Sequence, residues 1–283
     1  MTPALWGAVI GLAAWVLFRL DEKPGLAPDS RYYLELGEGK RVPEPFCWRA
    51  GWPTFLGRLG KRARAWQAVV CLSLMVQGAA IANLAGTPIA AVLLMGLPGG
   101  ARFSVRYPLL VDAPTLAALL AVAAWPPVHP LFGAFALALM RENALVWQAV
   151  LTREWWPLAV LPLALGLGWL SSRRTPSEQA GDNLWITQPL RTSLAGRRGM
   201  WCSFALMVLP WGVVLPLALL SPSWELAGIL ALAYLPLAGV SDTARVYQWA
   251  APSLILIALQ APVPAMAWPA LLILHFCNPY RGA

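Results

Sequence analysis

Apolar segments recur along the whole chain, and they limit what it can fold into. Cut at charged and Pro/Gly-rich breaks, they fall near residues 2–18, 65–85, 88–98, 113–125, 130–140, 143–152, 156–171, 200–220, 224–239, 249–260 and 264–277. A helix on the surface of a soluble domain keeps a polar face toward water, and here 59% of residues are hydrophobic and only 12% charged. The pattern therefore predicts an all-α, polytopic transmembrane helical bundle of roughly 8 to 11 membrane segments. It reads as one transmembrane domain over residues 1–283, with polar loops near 20–64 and 172–199. Several runs are too short to cross about 30 Å of hydrocarbon, which takes about 20 helical residues, so some must be short or broken helices buried by their neighbours.

The first run, Thr2 to Phe18, has no basic residue before it and no small-residue cleavage signal after it, which predicts a retained first helix. Cys47, Cys71, Cys202 and Cys277 have no paired spacing and three lie in apolar runs, so no disulfide is expected. Many of the 16 tryptophans flank the apolar runs (Trp52, Trp66, Trp125, Trp155, Trp156, Trp224, Trp268), as rings anchored at headgroup level do. The net charge of +8 points to lipid phosphates rather than nucleic acid as the partner.

Taking the runs as alternating crossings sorts the connections into two classes. Leu84 to Pro88, Trp125 to Pro130, Thr152 to Trp156, Ser221 to Trp224 and Gln260 to Pro264 are short and poor in charge. Arg19 to Arg64, Gly96 to Asp112, Arg141 to Glu142, Ser171 to Gly199 and Val240 to Gln248 hold nearly all the ionisable residues. Such one-sided clustering marks a candidate site, because ionisable groups at helix ends are costly unless paired, hydrated or bound.

Within the charged class, Asp29 precedes an amphipathic stretch from Ser30 to Leu36 that Gly37 would end. It is either a helix cap or an acid placed to take a proton from an acceptor. Arg102 and Arg106 follow a glycine-rich turn and have the fork that suits phosphate oxygens. Asp112 opens the next apolar run, with Pro114 in its first turn, and capping explains it as well as function does. Arg141 and Glu142 sit between apolar runs, as an ion pair or as ligand contacts. Asp242 and Arg245 share a face if their segment is helical. His129 and His275 have no metal-ligand spacing, and no Walker loop, dinucleotide fingerprint, GxSxG or HExxH is present.

The order of "DSRYYLELGEG", "PFCWRAGWP", "GLPGGARFSVRYPLLVDAP", "MRENAL", "LPWGVVL" and "SDTARVYQWAAP" resembles GT-C-type glycosyltransferase-like integral membrane proteins of bacteria and their viruses. The resemblance covers most of the chain through short motifs. It implies a GT-C-like bundle in the bacterial inner membrane that moves a sugar from a polyprenyl-phosphate carrier to an acceptor hydroxyl. Asp29 would be the general base. Arg49, Arg102, Arg106 and Arg245 would hold the carrier phosphate. Tyr32, Asp112, Arg141, Glu142 and Asp242 would complete the substrate site. The partners implied are membrane lipids, the lipid-linked sugar and an acceptor, with no cofactor beyond that donor and with metal need left open. It also implies an extracytoplasmic charged face, whereas the positive-inside rule alone would place that face in the cytoplasm. A transporter or flippase for an anionic lipid or solute, and a non-catalytic membrane assembly protein, are the competing classes.

Overall fold

The computed structural model describes residues 1–25, 30–40, 42, 58, 63–108, 110, 112–125, 133–134, 136–137, 143–172, 208–234 and 243–278. Among them the protein is helical throughout, with no strand. Two helices are long and apolar enough to cross a membrane: α1 (Pro3–Asp21) and, within α3 (Ala63–Ala85), Arg64–Ala85. The other described helices are shorter than the roughly 20 residues a straight crossing takes.

Helix α1 begins where the sequence supplies a start signal. Thr2 Oγ1 accepts from the Leu5 amide at 3.3 Å, and Pro3 occupies the first turn, where its missing N–H costs nothing. Small residues then set its packing. A Cβ on Gly7 would lie 2.1 Å from the Gly78 carbonyl oxygen, and one on Gly11 would lie 2.2 Å from that of Leu74. The backbones of α1 and α3 therefore touch, in the manner of small residues four apart on membrane helices. Gly7 opposite Gly78, Gly11 opposite Leu74, and Trp15 bonded to Gln67 at 3.2 Å make the pair antiparallel.

Three short helices line up against this pair. Helices α4 (Ile89–Gly96) and α5 (Ala101–Arg106) form one path broken at Leu97–Gly100, both packed on α1 and α3. Helix α6 (Asp112–Ala124) follows α3 in parallel: Gln77 Nε2 donates to the Ala113 carbonyl at 2.8 Å and Asn83 Nδ2 to that of Ala124 at 3.2 Å. The amphipathic helix α2 (Ser30–Gly37) lies against the first turn of α3. Its bounds agree with the stretch expected from sequence.

The second half of the chain supplies α7 (Asn143–Thr152), α8 (Pro157–Ser172), a 3₁₀ turn at Leu209–Trp211, α9 (Val214–Leu219), α10 (Trp224–Tyr234), α11 (Thr243–Ala258) and α12 (Trp268–Phe276). Helix α11 is the hub, packing on α4, α7, α9 and α10. His275 on α12 ties that helix to both sides. Its Nε2 lies 2.8 Å from the Leu93 carbonyl oxygen, and its Nδ1 accepts from the Val213 amide at 3.4 Å. Gly212 beside it has φ 52°, and a Cβ there would meet Nδ1 at 2.4 Å.

Tryptophan placement corrects the sequence reading at one position. Trp125, Trp155 and Trp224 are exposed, but Trp66 is fully buried, packed in a cluster with Tyr33 and Leu110. The docking of α2 covers it, and nothing local in the sequence marks that tertiary contact.

Candidate functional site

The C-terminal end of α1, the start of α3, α2 and α5 meet at one end of the bundle. There Arg102 Nε donates to Glu22 Oε1 and Arg102 Nη2 to Asp21 Oδ2, both at 2.6 Å. Arg106, four residues on and so on the same face of α5, lies 3.9 Å from Glu22 Oε2 and 5.4 Å from the Tyr107 ring centre. The two arginines differ in availability. Arg102 is largely covered, with its fork on two carboxylates, while the Arg106 side chain is 46% exposed and, among the described residues, makes one long ion pair besides its contact with the Tyr107 ring. An incoming phosphate would compete with Asp21 and Glu22 for Arg102 but would meet Arg106 directly.

The walls of this end are aromatic. Tyr33 on α2, Trp66 and Val69 on α3, Phe103 and Tyr107 on α5, and Leu110 form a second apolar cluster separate from the main core. The chain after α1 is pinned to it as well, since the Gly25 amide donates to the Arg106 carbonyl at 2.7 Å. Tyr32 faces outward on α2, hydrogen-bonded by Arg31 Nη2, whose guanidinium also lies over the Tyr32 ring.

Of the residues singled out by sequence, the structure brings Arg102 and Arg106 together, with Tyr32 on the helix docked beside them. Asp112 does open a helix, and it is buried at 1% exposure. It follows closely on the arginine helix: α5 packs on α6, and Leu110, two residues before Asp112, lies in one cluster with Phe103 and Tyr107. Arg245 lies in the first turn of α11 by its backbone, its side chain falling outside the described part. Asp29, Arg49, Arg141, Glu142 and Asp242 lie outside the described residues. Among the described residues no group of three His, Cys, Asp or Glu side chains is placed to hold a metal.

The opposite end carries a second charged feature. Arg153 forms a two-pronged ion pair with Glu225, with Nη2 at 2.9 Å from Oε1 and 2.8 Å from Oε2, and Nε at 3.2 Å from Oε1. Leu84, Ala85, Leu151, Leu259 and Gln260 line a cavity of about 490 Å³ beside it. The ends of four of the short connections predicted to share one side, those at Leu84, Thr152, Trp224 and Gln260, do meet here, and the Trp125 to Pro130 connection lies largely outside the described residues.

No known protein family, curated protein or solved structure matches the chain. The site therefore rests on its own residues. Asp21 and Glu22 were passed over in the sequence, although an acidic pair closing an apolar run was the signal that could have found them. The Arg153–Glu225 pair had no such signal, because its members are 72 positions apart and only the fold joins them.

Proposed function

We propose that the chain is a multi-pass integral membrane protein, a bundle of roughly 8 to 11 membrane segments once its short helices pair into broken spans. The observation that carries this is the outer face of α1. Leu5, Trp6, Val9, Leu12, Val16 and Leu17 are all exposed there, while Gly7, Gly11 and Ala14 of the same helix face inward. A contiguous apolar face of this kind is unfavourable in water and matched to lipid tails. Leu72 and Val76 on α3 continue it.

Its activity, in this proposal, is that of a membrane glycosyltransferase in the bacterial inner membrane, with the charged end extracytoplasmic. Three features support the reading. Arg106 offers an open guanidinium at a helix end, aromatic rings stand beside it, and α2 begins at Ser30, the residue after Asp29. In the reaction the Asp29 carboxylate takes the proton from an acceptor hydroxyl, and that oxygen bonds to the anomeric carbon. The bond from that carbon to the carrier phosphate breaks, and its electron pair leaves on the phosphate. Arg106, with Arg49 and Arg245, offsets that charge. Arg102 positions Arg106 through their shared Glu22. Tyr32, Asp112, Arg141, Glu142 and Asp242 remain candidates for the sugar and acceptor.

The test is sugar transfer by the purified full-length chain in liposomes supplied with a polyprenyl-phosphate sugar. Asp29→Asn abolishes transfer, and Arg106→Ala raises the donor KM about 10-fold or more, the loss expected for a charge-assisted hydrogen bond. Unchanged transfer by Asp29→Asn in an active preparation removes the base. A flippase is the second reading, favoured by the buried Asp112 beside the interrupted α4–α5 path. Movement of the lipid between leaflets without covalent product selects it.

A further inference from the structure

The end of the bundle remote from Arg102 holds a site that the proposed reaction does not use. Two grooves converge on the Arg153–Glu225 ion pair. One, of about 490 Å³, runs between α3, α7 and α11 past Leu84, Val150, Leu256 and Leu259. The other, of about 520 Å³, runs between α7 and α10 past Val150, Ile229 and Leu232. Each is in the size range of small-molecule sites. The second has apolar walls, the first mixes aliphatic side chains with Ser253 and Gln260, and both are charged only where they meet.

The ion pair at the junction is only partly self-satisfied. Glu225 engages Arg153 through Nε and Nη2, which leaves Nη1 with no partner among the described residues. Glu225 is 42% exposed, so its carboxylate keeps an open side. Arg153 itself sits at φ 58°, where glycine is the favoured residue at a helix end. Holding a long cationic side chain on that strained backbone is the kind of feature that accompanies a binding role. Exposed Trp155 and Trp224 flank the pair, and Trp156 bonds Glu154 beside it, so this end has the aromatic character of a headgroup layer.

One occupant fits all of these features. We infer that the two grooves and the Arg153–Glu225 pair bind a diacyl phospholipid with an ammonium-bearing zwitterionic headgroup, one acyl chain in each groove. The phosphate is taken by Arg153 Nη1, and the ammonium by the open side of Glu225. A headgroup of net negative charge would satisfy the guanidinium but oppose the carboxylate. A trimethylated ammonium would lose the hydrogen bonds that Glu225 accepts. The inference rests on the membrane reading above but on neither the glycosyltransferase chemistry nor any residue of the Arg102 end.

The experiment is native mass spectrometry of the full-length chain in detergent, loaded with phosphatidylethanolamine, phosphatidylcholine or phosphatidylglycerol of identical acyl chains. The wild type is expected to retain one ethanolamine lipid about 10-fold better than either of the others, as a charge-assisted contact implies. Glu225→Gln brings ethanolamine and choline lipids to parity, whereas Arg153→Gln weakens both together. Arg153→Gly relaxes the backbone while removing the guanidinium, so it keeps the fold and loses the lipid. Equal retention of all three lipids, a preference for phosphatidylglycerol, or retention unchanged in Arg153→Gly overturns the inference. Alkaline carbonate extraction separates the two levels. A chain released from membranes fails the membrane reading, and one that stays in them without headgroup preference fails this inference alone.

Discussion

Gly7 and Gly78 face each other across the α1–α3 contact so closely that a Cβ on Gly78 would lie 2.1 Å from the Gly7 carbonyl oxygen. The neighbour is backbone, so the clash cannot be relieved by turning a side chain. Gly78→Ala must push the helices apart and break the Trp15–Gln67 bond below it. The expected loss is about 1–3 kcal/mol, the usual cost of overpacking, read as a lowered unfolding midpoint in detergent. Gly228→Ala, where a Cβ meets nothing within 4 Å, should leave the midpoint unmoved. If the two variants melt alike, the close contact does not exist.

Arg102 and Glu22 form the better-buried half of the charged cluster, with side-chain exposures of 22% and 15%. Arg102→Ala leaves Glu22 and Asp21 facing each other at the end of α1, at a cost of about 1–2 kcal/mol given their partial exposure. Adding Glu22→Ala to that variant should restore part of the stability, which a double-mutant cycle measures as a coupling. Strict additivity of the two changes would show that the pair is not formed.

The helices of this protein were legible where local signals act. Thr2-Pro3 marks the start of α1, Asp112 the start of α6, and Ser30 to Gly37 the extent of α2. The gathering of the short, charge-poor connections at Leu84, Thr152, Trp224 and Gln260 was also legible. What joins distant segments was not. Trp66 reads as an interfacial ring but is roofed by Tyr33, and Arg153 reads as a stray charge but is met by Glu225. Pairings of this kind depend on tertiary placement and leave no trace in spacing.

His275 belongs to the same group, a residue without a motif that the fold turns into a fastening. Because the Val213 amide donates to Nδ1, the ring's hydrogen is on Nε2 and is donated to the Leu93 carbonyl. His275→Phe keeps an aromatic ring, slightly larger, and loses both bonds, leaving a buried carbonyl unpaired at a cost of about 1–3 kcal/mol. His275→Ala adds a cavity and should cost more, about 2–4 kcal/mol. The order Ala below Phe below wild type in thermal midpoint is the outcome expected. A Phe variant as stable as wild type would mean the two hydrogen bonds contribute nothing.

The sidedness of the bundle makes the last prediction. Helix α3 has 23 residues and so spans roughly 34 Å, close to the thickness of a bilayer's hydrocarbon core. Lys40 follows α2 at the Arg102 end, and Trp224, 94% exposed, opens α10 at the Arg153 end. In a background with the four native cysteines replaced, Lys40→Cys and Trp224→Cys should react with a membrane-impermeant maleimide from opposite faces. In intact cells only one is labelled, and in inverted vesicles only the other. On the proposed orientation Lys40→Cys is the one labelled in cells. The reverse pattern keeps the spanning fold but puts the charged end in the cytoplasm, as the positive-inside rule alone would have it. Labelling of both positions in intact cells is incompatible with α3 crossing the bilayer, because no helix can present its two ends to the same water while its middle lies in hydrocarbon.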